Sequence, residues 1–185
     1  MYEYLVKLSR RVIENYVKGL PVEKPQNYPK EFERKQGAFC TINSYPSGSL
    51  RGCIGVPYPI MPLIDAVIEA SKSACNDPRF PPLEERELPN VTIELSILTP
   101  PKEIKPSEIV IGRDGLIISH PMGSGLLLPQ VPVKYGWTVD EYLKNLCYKA
   151  GLGEDCWKHG KLYAFQAKIY KELKPGGKVV EWKIS

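Results

Sequence analysis

Apolar residues recur at intervals of three and four along the first segment. Leu5, Leu8, Val12 and Tyr16 fall on one side of a helical wheel with charged residues opposite. This spacing predicts an amphipathic helix over residues 3–18, stopped by Gly19 and Pro21. Residues 20–36 are proline-rich and charged and read as a surface connection. The period then changes to two. Residues 37–44 and 50–56 read as strands of a hairpin closed by Tyr45-Pro46-Ser47-Gly48-Ser49. Helical spacing returns from Pro62 to Cys75, with Leu63, Val67, Ala70 and Ala74 on one face, and Asn76-Asp77-Pro78 ends it. The run from Val91 to Leu98 alternates as a strand with one buried face. Arg113-Asp114-Gly115 turns into a strand over Leu116–Ser119, and an apolar run follows at Leu126-Leu127-Leu128.

Thr138 and Glu141 form a capping box that opens a third helix at 139, with Tyr142, Leu143, Leu146 and Ala150 as its stripe and Gly151 as its cap. Tyr163, Phe165, Ala167 and Ile169 alternate along one long strand, and Lys174-Pro175-Gly176-Gly177 turns into a last strand over 178–184. Hairpins outnumber βαβ units. The expected class is therefore α+β, with mainly antiparallel sheets and three main helices.

The hairpin sorts its own side chains. On its second strand Leu50, Gly52, Ile54 and Val56 share one face, and Arg51, Cys53 and Gly55 share the other. A symmetric loop centred on Ser47 pairs Thr41 with Cys53, Asn43 with Arg51 and Cys40 with Ile54. Cys40 and Ile42 then join the core, while Thr41 and Asn43 join Cys53. Same-face neighbours on a strand lie ~7 Å apart. At an effective dielectric near ~20, Arg51 would stabilise a Cys53 thiolate by about 2.4 kcal/mol, enough to bring a recessed thiol from ~8.5 to ~7. In bulk water the same pair is worth only about 0.6 kcal/mol. Cys53 and Arg51 are accordingly the candidate catalytic residues.

Composition narrows the function classes. The chain has 185 residues, 43% hydrophobic and 25% charged, which is ordinary for one globular domain or two interwoven lobes. A net charge of +4 without a basic run argues against nucleic acid as the main partner. No apolar stretch approaches a membrane span, and the start carries no secretory signal core, so the cytoplasm is expected. The five cysteines are odd in number and lack a Cys-x-x-Cys pair, so neither a closed disulfide framework nor a zinc site is expected. Cys75 lies at a helix C-terminus, where the dipole disfavours a thiolate. Cys147 lies on the apolar stripe of the third helix, and Cys156 precedes Trp157 in a loop. Two histidines, His120 and His159, without acidic spacing make a metal site unexpected. No nucleotide-binding glycine loop occurs, and no cofactor is expected.

Leu50-Arg51-Gly52-Cys53-Ile54-Gly55 resembles the hallmark of the AMMECR family, named for the Alport syndrome, midface hypoplasia and elliptocytosis chromosomal region. The resemblance continues in Asp77-Pro78-Arg79-Phe80-Pro81-Pro82-Leu83, in Glu94 to Pro101, and in Gly112-Arg113-Asp114-Gly115-Leu116. It extends through Gly125 to Val131, then Trp137, and Cys147 with Lys149-Ala150-Gly151-Leu152. It implies a single α+β domain of two lobes around a cleft that the shared motifs line or support. It also implies Memo-type and radical-SAM-type proteins as pathway partners, and it supplies no particular reaction. Cys75 stands where the family usually has a bulky apolar residue, and His120 lies outside the shared motifs.

Gly52, Gly55, Asp77, Arg79, Glu94 and Gln130 are the candidate substrate-binding residues. Asp77 and Arg79 place a carboxylate and a guanidinium at a helix end, or simply a helix stop with a local ion pair. Glu94 points away from Ile93 and Leu95 and can face Arg51 or Arg79. Gln130 follows the Leu-Leu-Leu-Pro run and can contact a ligand or cap the backbone. Three functions fit these groups. One is a cysteine-dependent transferase or hydrolase acting on a small or peptide-like substrate. The alternatives are a non-catalytic protein- or peptide-interaction module and a nucleic-acid-linked regulatory protein.

Overall fold

A computed structural model describes residues 1–184, which divide between two compact units. The first comprises Met1–Leu98 and Lys168–Trp182, and the second is built on Thr99–Ala167. Helix α1 (Glu3–Val17) opens the first unit, followed by the hairpin strands β1 (Ala38–Ser44) and β2 (Leu50–Val56), helix α2 (Leu63–Ala74) and strand β3 (Val91–Leu98). The second unit contains β4 (Lys102–Glu103), β5 (Gly115–His120), β6 (Gly123–Leu127), α3 (Gln130–Tyr135), α4 (Val139–Lys149) and β7 (Lys161–Phe165). The chain then returns to the first unit with β8 (Ala167–Glu172) and β9 (Val179–Trp182).

The first unit is a five-stranded sheet in the order β2-β1-β3-β8-β9. Strand β1 runs antiparallel to both β2 and β3. Its register sets Ala38 opposite Ile97, Cys40 opposite Leu95 and Ile42 opposite Ile93. All six are buried in one core with Leu5, Leu8 and Val12 of α1 and Leu63, Val67 and Ala70 of α2. Burying a side chain of this size contributes about 1.5–3 kcal/mol. A one-residue slip would carry the whole set to the other face, so the register is firmly held. The opposite face carries Phe39, Thr41, Thr92, Glu94 and Ser96.

The returning strand is fastened by Arg10 and Glu172. Glu172 Oε2 accepts from Arg10 Nη2 at 2.7 Å and from the Ile93 N–H at 3.0 Å, while Arg10 Nη2 also donates to the Val91 carbonyl at 2.8 Å. One buried ion pair thus ties α1, β3 and β8 together. Removing either partner would leave a buried charge and cost about 3–5 kcal/mol.

The second unit is a four-stranded sheet in the order β4-β7-β5-β6, with Leu116 and Ile118 packed against Tyr142, Leu143 and Leu146 of α4. Thr138 caps α4 with the capping box read from the sequence. The buried Tyr142 hydroxyl donates to the Asp114 carbonyl at 3.0 Å.

Four expectations are corrected. The alternating run from Tyr163 to Ile169 is two strands in different sheets, because Gln166 leaves the ladder. Its carbonyl accepts from the Thr99 N–H at 2.8 Å, and its own N–H donates to Thr99 Oγ1 at 2.8 Å. The short helix α3 and strand β4 are too brief to leave a periodic signal. The hairpin pairs Thr41 with Cys53 and Cys40 with Ile54 as expected, but Asn43 pairs with Leu50 and Arg51 occupies a bulge. Finally, Cys147 and Cys156 form a disulfide across nine residues, although the cysteine pattern gave no reason to expect one. Cys40, Cys53 and Cys75 are the free thiols among the described residues.

Candidate functional site

Strand β2 lies at the edge of its sheet, so some of its backbone groups have no neighbouring strand to bond. At Cys53 a side-chain pair takes that place. The Asp77 carboxylate accepts the Cys53 N–H at 2.9 Å, and Arg79 Nη2 donates to the Cys53 carbonyl at 3.5 Å. Asp77 is itself buried and also accepts from the Arg79 N–H at 3.0 Å, Nε at 3.1 Å and Nη2 at 2.8 Å. The hydrogen bonds from Arg79 hold its carboxyl far below the usual carboxylate range, and the N–H of Cys53 adds to this. The loop after α2 therefore serves as an ionised clamp on the backbone of one residue.

Gly52 and Gly55 allow the strand to sit where it does. A Cβ on Gly52 would lie 2.4 Å from the Ala74 carbonyl oxygen at the end of α2, and one on Gly55 would lie 2.4 Å from Phe39 Cγ. Protein atoms occupy the side-chain space at both glycines, so these positions act through close packing.

Arg51 is placed elsewhere than expected. Released from the ladder by the bulge, it donates from Nε and Nη2 to the two Glu87 oxygens at 2.8 and 3.0 Å, and to the Pro82 carbonyl at 3.3 Å. Its guanidinium holds the Glu87 carboxyl below the ordinary range. The charge that favours a Cys53 thiolate is that of Arg79, and the Thr41 hydroxyl donates to Sγ at 3.2 Å. Burial outweighs both and pushes the Cys53 thiol up. The expected thiol near ~7 is thus corrected. The arginine assigned to it is bonded to Glu87, and desolvation dominates.

The cross-strand register builds a row of chemistry-bearing side chains. Thr41 faces Cys53 on β2 and Glu94 on β3. Directly opposed residues have Cβ atoms about 4.5–5.5 Å apart, so thiol, hydroxyl and carboxylate stand side by side. Glu94 is half-buried and accepts no hydrogen bond among the described residues. Burial raises its pKa, opposed by the charge of Lys171. In the adjoining row Phe39 lies between Gly55 and Ser96. Ser96 is fully buried, and its hydroxyl has no partner among the described residues. The clean alternation of β3 marked the face of Ser96 and Glu94 in the sequence. Glu87 left no such signal.

The remaining candidates fall outside this row. Gln130 opens α3 in the second unit, where its buried Oε1 is without a partner among the described residues. His120 Nδ1 accepts the Met122 N–H at 3.0 Å, a use local to its turn. Cys40 and Cys75 are buried, and burial pushes both thiols up to about 12. No group of three His, Cys, Asp or Glu is placed to hold a metal ion among the described residues. No helix there is long and apolar enough to cross a membrane.

The chain is similar to known proteins over nearly its whole length. The AMMECR1 family model matches residues 6–170. The chain is 51% identical to Protein MJ0810 of Methanocaldococcus jannaschii, over 98% of this chain and 94% of that one. It is 48% identical to Protein PYRAB00100 of Pyrococcus abyssi, over 96% of this chain and 93% of the relative. The crystal structure of protein PH0010 from Pyrococcus horikoshii superposes with a TM-score of 0.93 at 46% identity, covering 98% of this chain and 96% of that one. The chain belongs to the AMMECR1 family.

Proposed function

We propose that the protein is a cytoplasmic enzyme that transfers or hydrolyses an acyl group of a small or peptide-like substrate, with Cys53 as the nucleophile. The observation that carries this reading is the row Cys53–Thr41–Glu94, in which a half-buried thiol with a clamped backbone is linked through the Thr41 hydroxyl's position to a carboxylate one strand further on that accepts no hydrogen bond among the described residues. Perturbed titratable groups gathered on one face are a common mark of active sites.

Cys53 Sγ would form a bond to the acyl carbon as the bond to the leaving group breaks, and the thiol proton would depart on that group. Water or an acceptor nucleophile would then cleave the thioester and restore the thiol. The Thr41 hydroxyl, already donating to the sulfur, would stabilise the charge that develops there. Glu94, whose burial eases protonation, is the group on the row suited to hold a proton in transit. Arg51 has a positioning role here, acting through Glu87 on the loop beside the strand.

The test is thiol release from acetyl and aminoacyl thiobenzyl esters by native protein and by Cys53→Ser. Catalysed release that vanishes in the variant supports the proposal; rates equal in both proteins refute it.

The raised Cys53 thiol favours a second reading, a peptide- or partner-binding face on which Cys53 only packs. That reading expects full peptide binding by Cys53→Ser and no ester turnover by either protein.

A further inference from the structure

We infer that a cavity on the helix side of strand β2 is a binding site for a free α-amino acid in its zwitterionic form. The site is separate from the Cys53 row. Ile54 lines the cavity, and the neighbouring Cys53 side chain points to the opposite face of the strand.

The cavity has a volume of about 380 Å³ and lies where the last turns of α1 and α2 meet β2. Its walls are Tyr16 of α1, Glu69, Lys72 and Ser73 of α2, Asn76 just beyond that helix, and Ile54. Ligand cavities run from about 300 to 1,000 Å³, so this one suits a molecule of amino-acid size. Its walls are joined before any ligand arrives. Asn76 Nδ2 donates to the Tyr16 hydroxyl at 2.6 Å, which fixes α1 against the end of α2. Tyr16, Glu69, Ser73 and Asn76 are all exposed, so a solute reaches them directly.

The polar groups select a zwitterion. Lys72 Nζ lies 2.8 Å from Glu69 Oε1, so the wall carries a pair of opposite charges and no net charge. A simple anion is repelled by Glu69, and a simple cation by Lys72. An α-amino acid holds its ammonium nitrogen ~2.5 Å from its carboxyl carbon. It can therefore lie antiparallel on the protein's pair, carboxylate to Lys72 and ammonium to Glu69. Three donors on the wall serve the carboxylate. The Lys72 ammonium has N–H groups beyond the one that Glu69 takes. The Tyr16 hydroxyl accepts from Asn76, which leaves its own proton to donate. The Ser73 hydroxyl makes no hydrogen bond among the described residues and adds the third. The Asn76 side-chain carbonyl is a second acceptor for the ammonium. Ile54 and the Tyr16 ring supply apolar surface for an aliphatic side chain.

Three compounds separate the charges. Leucine, leucinamide and N-acetylleucine would each be titrated into the native protein at pH 7 and followed by ¹H–¹⁵N chemical shifts. We expect leucine to bind at least tenfold more tightly than the other two, each of which lacks one charge, and to move the amides of Ile54, Ser73 and Asn76. Lys72→Ala and Glu69→Gln are each expected to remove that preference, and Tyr16→Phe to weaken leucine binding. Native-like spectra confirm the fold of each variant. Equal affinity for the three compounds, binding of none, or a preference for leucine that survives both Lys72→Ala and Glu69→Gln would overturn the inference.

Discussion

Asp77 and Cys53 are 24 residues apart, yet the Asp77 carboxylate accepts the Cys53 amide N–H at 2.9 Å and fixes the backbone of the half-buried thiol. Because Arg79 holds this carboxylate ionised, the clamp has a signature in pH. The Asp77 pKa is depressed in the folded state, so its stabilisation is present above the unfolded value near ~3.9 and is lost as pH falls through the folded value. We expect Asp77→Asn to lower stability at pH 7 by about 1.5–3 kcal/mol, the worth of hydrogen bonds to a buried charge. The loss should shrink as the pH drops below ~4. Urea unfolding of both proteins from pH 7 to pH 2 measures this difference.

The two arginines near Cys53 are predicted to behave differently. Arg79→Ala removes the favourable charge and should shift the pH midpoint of Cys53 alkylation by iodoacetamide further upward, on top of the rise that burial already imposes. Arg51→Ala breaks the Glu87 pair and should leave that midpoint in place, while costing about 1 kcal/mol in unfolding measurements. A matching shift in both variants would place the Arg51 charge at the thiol after all.

The sequence made the Thr41–Cys53 pairing legible because hairpin register follows from counting outward from the turn, and the faces of both strands had to agree. It did not make the Arg51 bulge legible. The loop closes asymmetrically, with the Ser44 N–H on the Ser49 carbonyl and the Gly48 N–H on the Ser44 carbonyl, both at 2.8 Å, and residue periodicity carries no trace of that geometry. The Arg51–Glu87 pair joins residues 36 apart, and only the tertiary fold selects Glu87 among the neighbouring acids. The break at Gln166 was hidden for a similar reason, since alternation continues across it while Thr99 captures both of its backbone groups. Glu94 was legible as the one charged residue of an alternating strand. Its unpartnered state was not.

Glu94 should show the tension between stability and function expected of a proton carrier. Its raised pKa means that the ionised form is less favourable in the folded protein, so the carboxylate costs stability above its unfolded value near ~4.3 and costs nothing below it. We expect Glu94→Gln to be more stable than native by about 1 kcal/mol at pH 7, with the gain fading toward pH 3. Thermal unfolding at the two pH values reads the sign directly.

The Cys147–Cys156 bridge closes a short loop behind α4, and its stabilisation is expected to be about 2–3 kcal/mol. Thiol titration of denatured, unreduced protein should find three free cysteines of the five in the chain. Cys147→Ser with Cys156→Ser should lower the unfolding midpoint of the second unit, while the alkylation rate of Cys53 stays as in the native protein.

The most direct test of Cys53 as a nucleophile is to trap the covalent state. Native protein would be mixed with alanyl thiobenzyl ester, quenched in acid within the first turnover, and mapped by peptide mass spectrometry. The account predicts one alanyl group on the peptide carrying Cys53, accumulating at a rate that matches thiol release and absent from Cys53→Ser. Turnover with an unmodified Cys53, or an alanyl group of equal yield on Cys40 or Cys75, would contradict it.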